Sequence, residues 1–90
     1  MAFISELLGT FFFLTVILTK GEAIPIAIGL LASIYAFGPL SGGHFNPAVS
    51  LMFLANGDFN DPGPITFVRY VVMQTAGAIF ALQLHQAVSG

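Results

Sequence analysis

The stretch Ser41–Val49 reads SGGHFNPAV, and Ser50–Ala55 continue it as SLMFLA. Two glycines, a histidine, an asparagine and a proline thus lead straight into the short apolar run Pro47–Ala55. Pro47 suits the first position of a helix, where a missing N–H costs nothing, and Asn46 suits its cap. Nine helical residues reach only about 14 Å, against a hydrocarbon core of about 30 Å. The run is therefore too short to cross a bilayer and too apolar for an aqueous loop. The economical arrangement is re-entry to about mid-membrane. The alternative is an amphipathic helix lying in the interface, capped by Asn46 and Pro47 and lining nothing. Irregular backbone at membrane depth is tolerated only inside protein or against a water-filled cavity. In the re-entrant reading, Gly42 and Gly43 let the chain run extended with carbonyls exposed as acceptors along a pore. Asn46 adds two amide donors at the inner end, at the positive terminus of a helix.

The rest of the chain supplies the membrane this reading needs. Of 90 residues, 57% are hydrophobic and only 7% charged, with formal net charge −2. The mean hydropathy is +0.94. Roughly a quarter of a soluble domain's residues are charged, so this composition cannot clothe a soluble globule. It also excludes disorder, and two basic residues exclude an electrostatic grip on nucleic acid. With no cysteine there is no disulfide framework and no thiolate metal site.

Three longer apolar runs flank the short one. The first, Ala2–Thr19, is interrupted by Ser5, Glu6 and a few threonines. A cleaved signal peptide is its rival reading, but the basic residue, Lys20, follows the run instead of preceding it, and Glu6 lies within. The second, Ala23–Leu40, carries no charge; Pro25 stands near its start, and Gly38 with Pro39 is expected to end it. Asn56–Pro64 (NGDFNDPGP) reads as a surface loop, where turn chemistry accounts for Asp58 and Asp61. The third run, Ile65–Leu84, has Arg69 one turn inside its start, placed to snorkel, and the small residues Ala76, Gly77 and Ala78 for close helix packing. The expected fold class is all-α: three transmembrane helices (2–19, 23–40, 65–84), a re-entrant loop and half-helix (41–55) and a loop (56–64) in one unit, an integral multi-pass membrane protein. No nucleophile–base spacing, phosphate loop or intramembrane carboxylate pair points to an enzyme. No cofactor is expected, and no metal either, since His44 and His85 lie at distant points of the chain.

SGGHFNPAV resembles the first asparagine–proline–alanine box of the major intrinsic proteins, the aquaporins and glycerol facilitators. Glu6, Thr10 and Phe13 in ELLGTFFF are similar to the family's first-helix pattern. Arg69-Tyr70 followed by Gln74, Gly77 and Ala78 is similar to its third-helix pattern. The resemblance covers one of the family's two inverted repeats, because the sequence holds a single box. It implies half of an aquaporin-like bundle in which Asn46 donates to single-file water and Pro47 and Ala48 shape the contact with an opposing box. Gly42, Gly43, His44 and Phe45 complete the pore-lining set, with His44 at the entrance on the box side. A histidine satisfied by its own loop is the other reading of His44. Glu6 is implied to hold the re-entrant loop through its backbone N–H groups, with Gln74 nearby; an interfacial glutamate is the alternative. Ile26 falls where the family's second-helix constriction carries an aromatic, which implies a wider, less polar ring.

The function implied is a passive channel half-unit for water and small neutral solutes such as glycerol. Three spans put the termini on opposite sides, so a second copy in inverted orientation would complete the pore as a homo-oligomer. The alternatives are a fragment or subunit needing a separate second-repeat chain, and a non-conducting protein that modulates full-length channels. The partners expected are membrane lipid, the permeating solute and that second unit.

Overall fold

The computed structural model describes residues 1–58 and 63–89. Among them there are four helices and no strand: α1 (Ala2–Thr19), α2 (Ala23–Ser41), α3 (Pro47–Ala55) and α4 (Gly63–Ser89). Three of these, α1, α2 and α4, are long and apolar enough to cross a membrane. The bundle measures 42 × 23 × 20 Å, and its long axis matches a bilayer with its headgroups at about 40–45 Å. Helix α1 stands between α2 and α4, and α3 packs on α4.

Small residues set the crossing distances. A Cβ at Gly77 of α4 would fall 2.6 Å from the Leu7 carbonyl oxygen and 3.0 Å from the Phe11 nitrogen of α1, so only glycine permits this approach of backbones. On the other side of α1, the hydroxyl of Ser33 in α2 donates to the Gly9 carbonyl at 3.1 Å. Most of the apolar side chains, among them Ile24, Ile28 and Leu31 of α2, face outward. The buried side chains are mostly polar, Ser5, Glu6, Thr10, Ser33, Ser41, Ser50 and Gln74, joined by Phe45, Tyr70 and Ala81. This inside-out distribution is what lipid selects. Apolar surface costs nothing against hydrocarbon, and polar groups must find each other.

Two boundaries depart from the sequence expectation. Helix α2 runs through Pro39 to Ser41 instead of stopping at Leu40. Proline in a last turn forfeits one backbone bond only; the stop comes from Gly42, left-handed at φ 94°, whose N–H donates to the Gly38 carbonyl at 2.6 Å. Helix α4 spans 63–89, not 65–84. Gly63-Pro64 supplies a favourable start, and the polar residues Gln83, His85 and Gln86 end the apolar run without ending the helix. Its 27 residues extend about 40 Å, past the hydrocarbon and into the headgroup layer. At the other end Arg69 lies over the Phe3 ring, 5.4 Å from its centroid. Of the expected surface loop, residues 59–62, Asp61 included, lie outside the described residues.

Candidate functional site

The site begins where α2 ends. Gly42, Gly43 and Phe45 all take left-handed backbone, at φ 94°, 69° and 51°. This turns the chain back into the bundle before Asn46 extends and caps α3. The Asn46 Oδ1 accepts the Ala48 N–H at 2.8 Å, and Pro47 occupies the first turn. With Oδ1 tied to the helix start, the amide nitrogen turns away from it.

A single carboxylate organises the turn. Glu6 of α1 is 0% exposed, and four donors converge on it. Its Oε1 accepts the Phe45 N–H at 2.9 Å and the Gln74 Nε2 at 2.9 Å. Its Oε2 accepts the Ser41 hydroxyl at 2.6 Å and the His44 N–H at 3.2 Å. Such a set repays the desolvation that an unpaired carboxylate would suffer in a membrane. It also leaves no interfacial glutamate near the N-terminus. A trans peptide aims its C=O opposite to its N–H. Pointing the His44 and Phe45 N–H groups at Glu6 therefore aims the Gly43 and His44 carbonyls away from it.

Further bonds radiate from this centre. The Gln74 Nε2 also donates to the Ser50 hydroxyl at 2.9 Å, which joins α3 to α4. The Tyr70 hydroxyl donates to the Ser41 carbonyl at 2.7 Å, joining α4 to the end of α2. The His44 Nδ1 lies 2.8 Å from the Ser50 Oγ. The His44 ring stacks on Phe53 at 4.7 Å and leans on Tyr70 at 4.9 Å. His44 belongs to the connection between α2 and α3. Burial pushes its imidazole below the ordinary value of 6.5, with the Glu6 carboxylate pulling the other way.

The half-helix tip sits deep. Thr10, the ninth of the eighteen residues of α1, lines a cavity of about 290 Å³ together with Asn46, Pro47 and Gln74. The cap of α3 thus lies beside the midpoint of a spanning helix, which makes α3 re-entrant and not interfacial. Asn46, Pro47 and Ala48 are exposed on this face. In the same cavity wall, the Thr10 Oγ1 and Gln74 Oε1 are buried and carry no hydrogen bond. Toward the N-terminal end a second cavity, of about 510 Å³, is lined by Phe3, Ser41, Gly42, His44, Asp58 and Tyr70 among others.

Glu6, Gln74, Gly42, Gly43, His44 and Phe45 are brought together here, with Asn46, Pro47 and Ala48 at the inner tip. Phe45 lines the same cavity as Asn46 and Pro47, but it is 3% exposed, its ring turned onto α1 at Gly9. Ile26 is not brought to this cluster. It lies half-buried in the first turn of α2, whereas Ser41 ends that helix about 22 Å further along. Three polar groups in the network, Ser41, Ser50 and the Tyr70 hydroxyl, carried no assigned role in the sequence, although Ser41 and Tyr70 lie within its motifs. The available signal was a serine in the middle of an otherwise apolar nine-residue helix.

Comparison with known proteins gives the family. The family model described as Major intrinsic protein matches residues 1–89. The chain is 41% identical to Glycerol uptake facilitator protein-like 6 of Lactiplantibacillus plantarum, a match covering 88% of this chain and 39% of that protein. It is 38% identical to Aquaporin Z of Photorhabdus laumondii, over 68% of this chain and 25% of that one. It is 46% identical to Aquaporin-5 of Sus scrofa, over 73% and 23% respectively. The chain thus spans well under half the length of these relatives. No solved structure matches it significantly. A family match that runs unbroken through the glutamate helix, the half-helix it anchors and the helix behind both leaves one assignment: the chain belongs to the major intrinsic protein family.

Proposed function

We propose that this unit forms one half of a passive membrane channel for water and small neutral solutes, completed by an inverted second unit. The observation that carries the reading is the exposed Asn46–Ala48 tip beside the midpoint of α1. A polar helix end at that depth is stable only against a partner or a file of water. Water entering a narrow conduit must replace its bulk hydrogen bonds, and an unsatisfied group there costs several kcal/mol. The carbonyls aimed away from Glu6 offer acceptors, and the Asn46 amide offers donors. The positive end of α3 disfavours cations, protons included. Conduction then needs no chemical step, cofactor or metal. His44 stands at the mouth on the N-terminal side, and Ile26 is the constriction candidate at the opposite end of α2.

One observation supports the need for a completing unit: the Asn46–Ala48 tip is uncovered. The completing unit is a second copy of this chain in inverted orientation. Because the chain covers only 39%, 25% and 23% of the three relatives, a separate second-repeat segment is the rival source of that half. Stopped-flow osmotic shrinkage of vesicles holding only this chain separates the two. Accelerated shrinkage that Asn46→Asp abolishes supports pairing of copies. Shrinkage at the rate of bare lipid, restored by co-reconstituting a second-repeat chain, supports the rival. No acceleration in either case defeats the channel reading and leaves a modulator of full-length channels.

A further inference from the structure

Phe45 is, among the described residues, the only one besides glycine with left-handed backbone. Gly42 and Gly43 reach that region freely, but a residue with a Cβ does not, so φ 51° at Phe45 needs a restraint. Helix α1 supplies two. The Phe45 N–H donates to the Glu6 Oε1 at 2.9 Å. One turn further along the same face, the ring is seated directly on Gly9: a Cβ there would fall 2.1 Å from Cε1, 2.4 Å from Cζ and 2.8 Å from Cδ1. The floor of this notch is itself fixed, because the Gly9 carbonyl accepts the Ser33 hydroxyl from α2. The residue after Phe45 is Asn46, extended at φ −160° and ψ 127°. Whatever sets the Phe45 turn therefore sets the direction in which the cap asparagine leaves it.

We propose that the Phe45 ring, seated in the Gly9 notch, is the positioning element that aims Asn46. Its consequence for permeation rests on the channel reading above; the seating itself does not. The ring adds a restraint beyond the hydrogen bonds from the His44 and Phe45 N–H groups to Glu6, since both of those bonds lie before the Phe45 Cα and neither fixes its ψ.

The test is amide hydrogen exchange by NMR on the 90-residue chain in lipid nanodiscs. Gly9→Ala is expected to speed exchange at His44, Phe45 and Ala48 by about tenfold, leaving the middle of α2 unchanged, as a local opening does. Leucine lacks the two ring atoms that would lie nearest the new methyl. Gly9→Ala with Phe45→Leu is therefore expected to restore exchange to within about threefold of the unsubstituted chain. Phe45→Gly needs no steric insertion and folds around a residue free to adopt φ 51°. It is expected to speed exchange at Ala48 and to broaden the Asn46 side-chain amide resonance. A silent Phe45→Gly would mean that only the backbone conformation matters, and would overturn the proposal. So would a Gly9→Ala effect that the leucine does not reverse. Where the vesicles conduct, the same variants shift the water-to-glycerol permeability ratio, and the double variant returns it. Vesicles that fail to conduct with the unsubstituted chain count against the channel reading and leave the exchange result standing.

Discussion

The carboxylate of Glu6 and the amide of Asn46 lie in one small polar system, yet they are built in opposite ways. Glu6 is sealed, with four donors closing on its two oxygens. Asn46 is exposed, with its oxygen tied to Ala48 and its nitrogen turned outward. The difference separates the tasks of anchoring and of meeting a solute. In an apolar solvent a polar group is either satisfied internally, where it rigidifies, or left at a face where something polar must arrive. Substitutions at the anchor should therefore act on folding, and substitutions at the tip on conduction.

The largest effect expected is from Glu6→Ala. It strands the Ser41 hydroxyl, the His44 and Phe45 N–H groups and one Gln74 donor, and at 1–3 kcal/mol for each unsatisfied buried group should cost about 4 kcal/mol or more. The yield of folded protein in detergent and its thermal midpoint would both collapse. Glu6→Gln keeps two acceptor contacts but sets an NH₂ against the His44 N–H, for about 2 kcal/mol. A Glu6→Ala chain as stable as the parent would break the contrast outright.

Gly77→Ala attacks the anchor indirectly. The new Cβ meets the Leu7 carbonyl at 2.6 Å, so α4 must retreat from α1 and carry Gln74 away from Glu6. Overpacking of this kind costs about 2 kcal/mol, read as a lower midpoint in steric-trapping or thermal unfolding. Gly57→Ala is the control: it introduces strain at φ 79° but meets nothing within 4 Å.

Asn46→Asp sharpens the contrast from the other side. Aspartate caps a helix as well as asparagine does, so stability should change by less than about 1 kcal/mol. It removes the amide donors and adds an acceptor at the tip, and osmotic shrinkage above the lipid background should disappear. A variant that loses folding together with conduction would show that the tip is also an anchor.

The smallest effect concerns pH. His44 has its folded value pushed below 6.5 by burial, so the unfolded chain binds more protons in the window just below 6.5. Stability is then complete above that window and declines as pH falls through it. A thermal midpoint followed from pH 8 to pH 5 should drop, and His44→Gln should flatten that part of the curve.

Several features were legible in the sequence. A helix period was unnecessary for finding α1, α2 and α4, because uninterrupted hydrophobicity over eighteen or more residues has few other solutions. The half-helix followed from a mismatch between its length and its apolarity. Asn46-Pro47 marked its start because cap and first-turn chemistry are local. The ends of α2 and α4 were less legible. Hydropathy reports where lipid stops, whereas a helix stops where its backbone bonds do, at Gly42 in one case and beyond the polar Gln83 and His85 in the other.

The sequence alone determined that this chain lives in a membrane, that one apolar segment is too short to cross it, and that a family of channels shares its pattern. These follow from composition, run length and capping, all of which are local. The resemblance implied that Glu6 holds the loop N–H groups with Gln74 nearby; only the tertiary structure decided the individual partners and the rest of the polar network. It brought Glu6 to residues 35 to 68 positions away along the chain, paired Ser50 with Gln74, and buried the Phe45 ring against Gly9 while leaving Asn46 in the open. The reason is physical: a hydrogen bond between distant residues depends on where three helices cross, and those crossings are set by close approaches at Gly29 and Gly77 whose partners across the bundle leave no periodic trace along the chain.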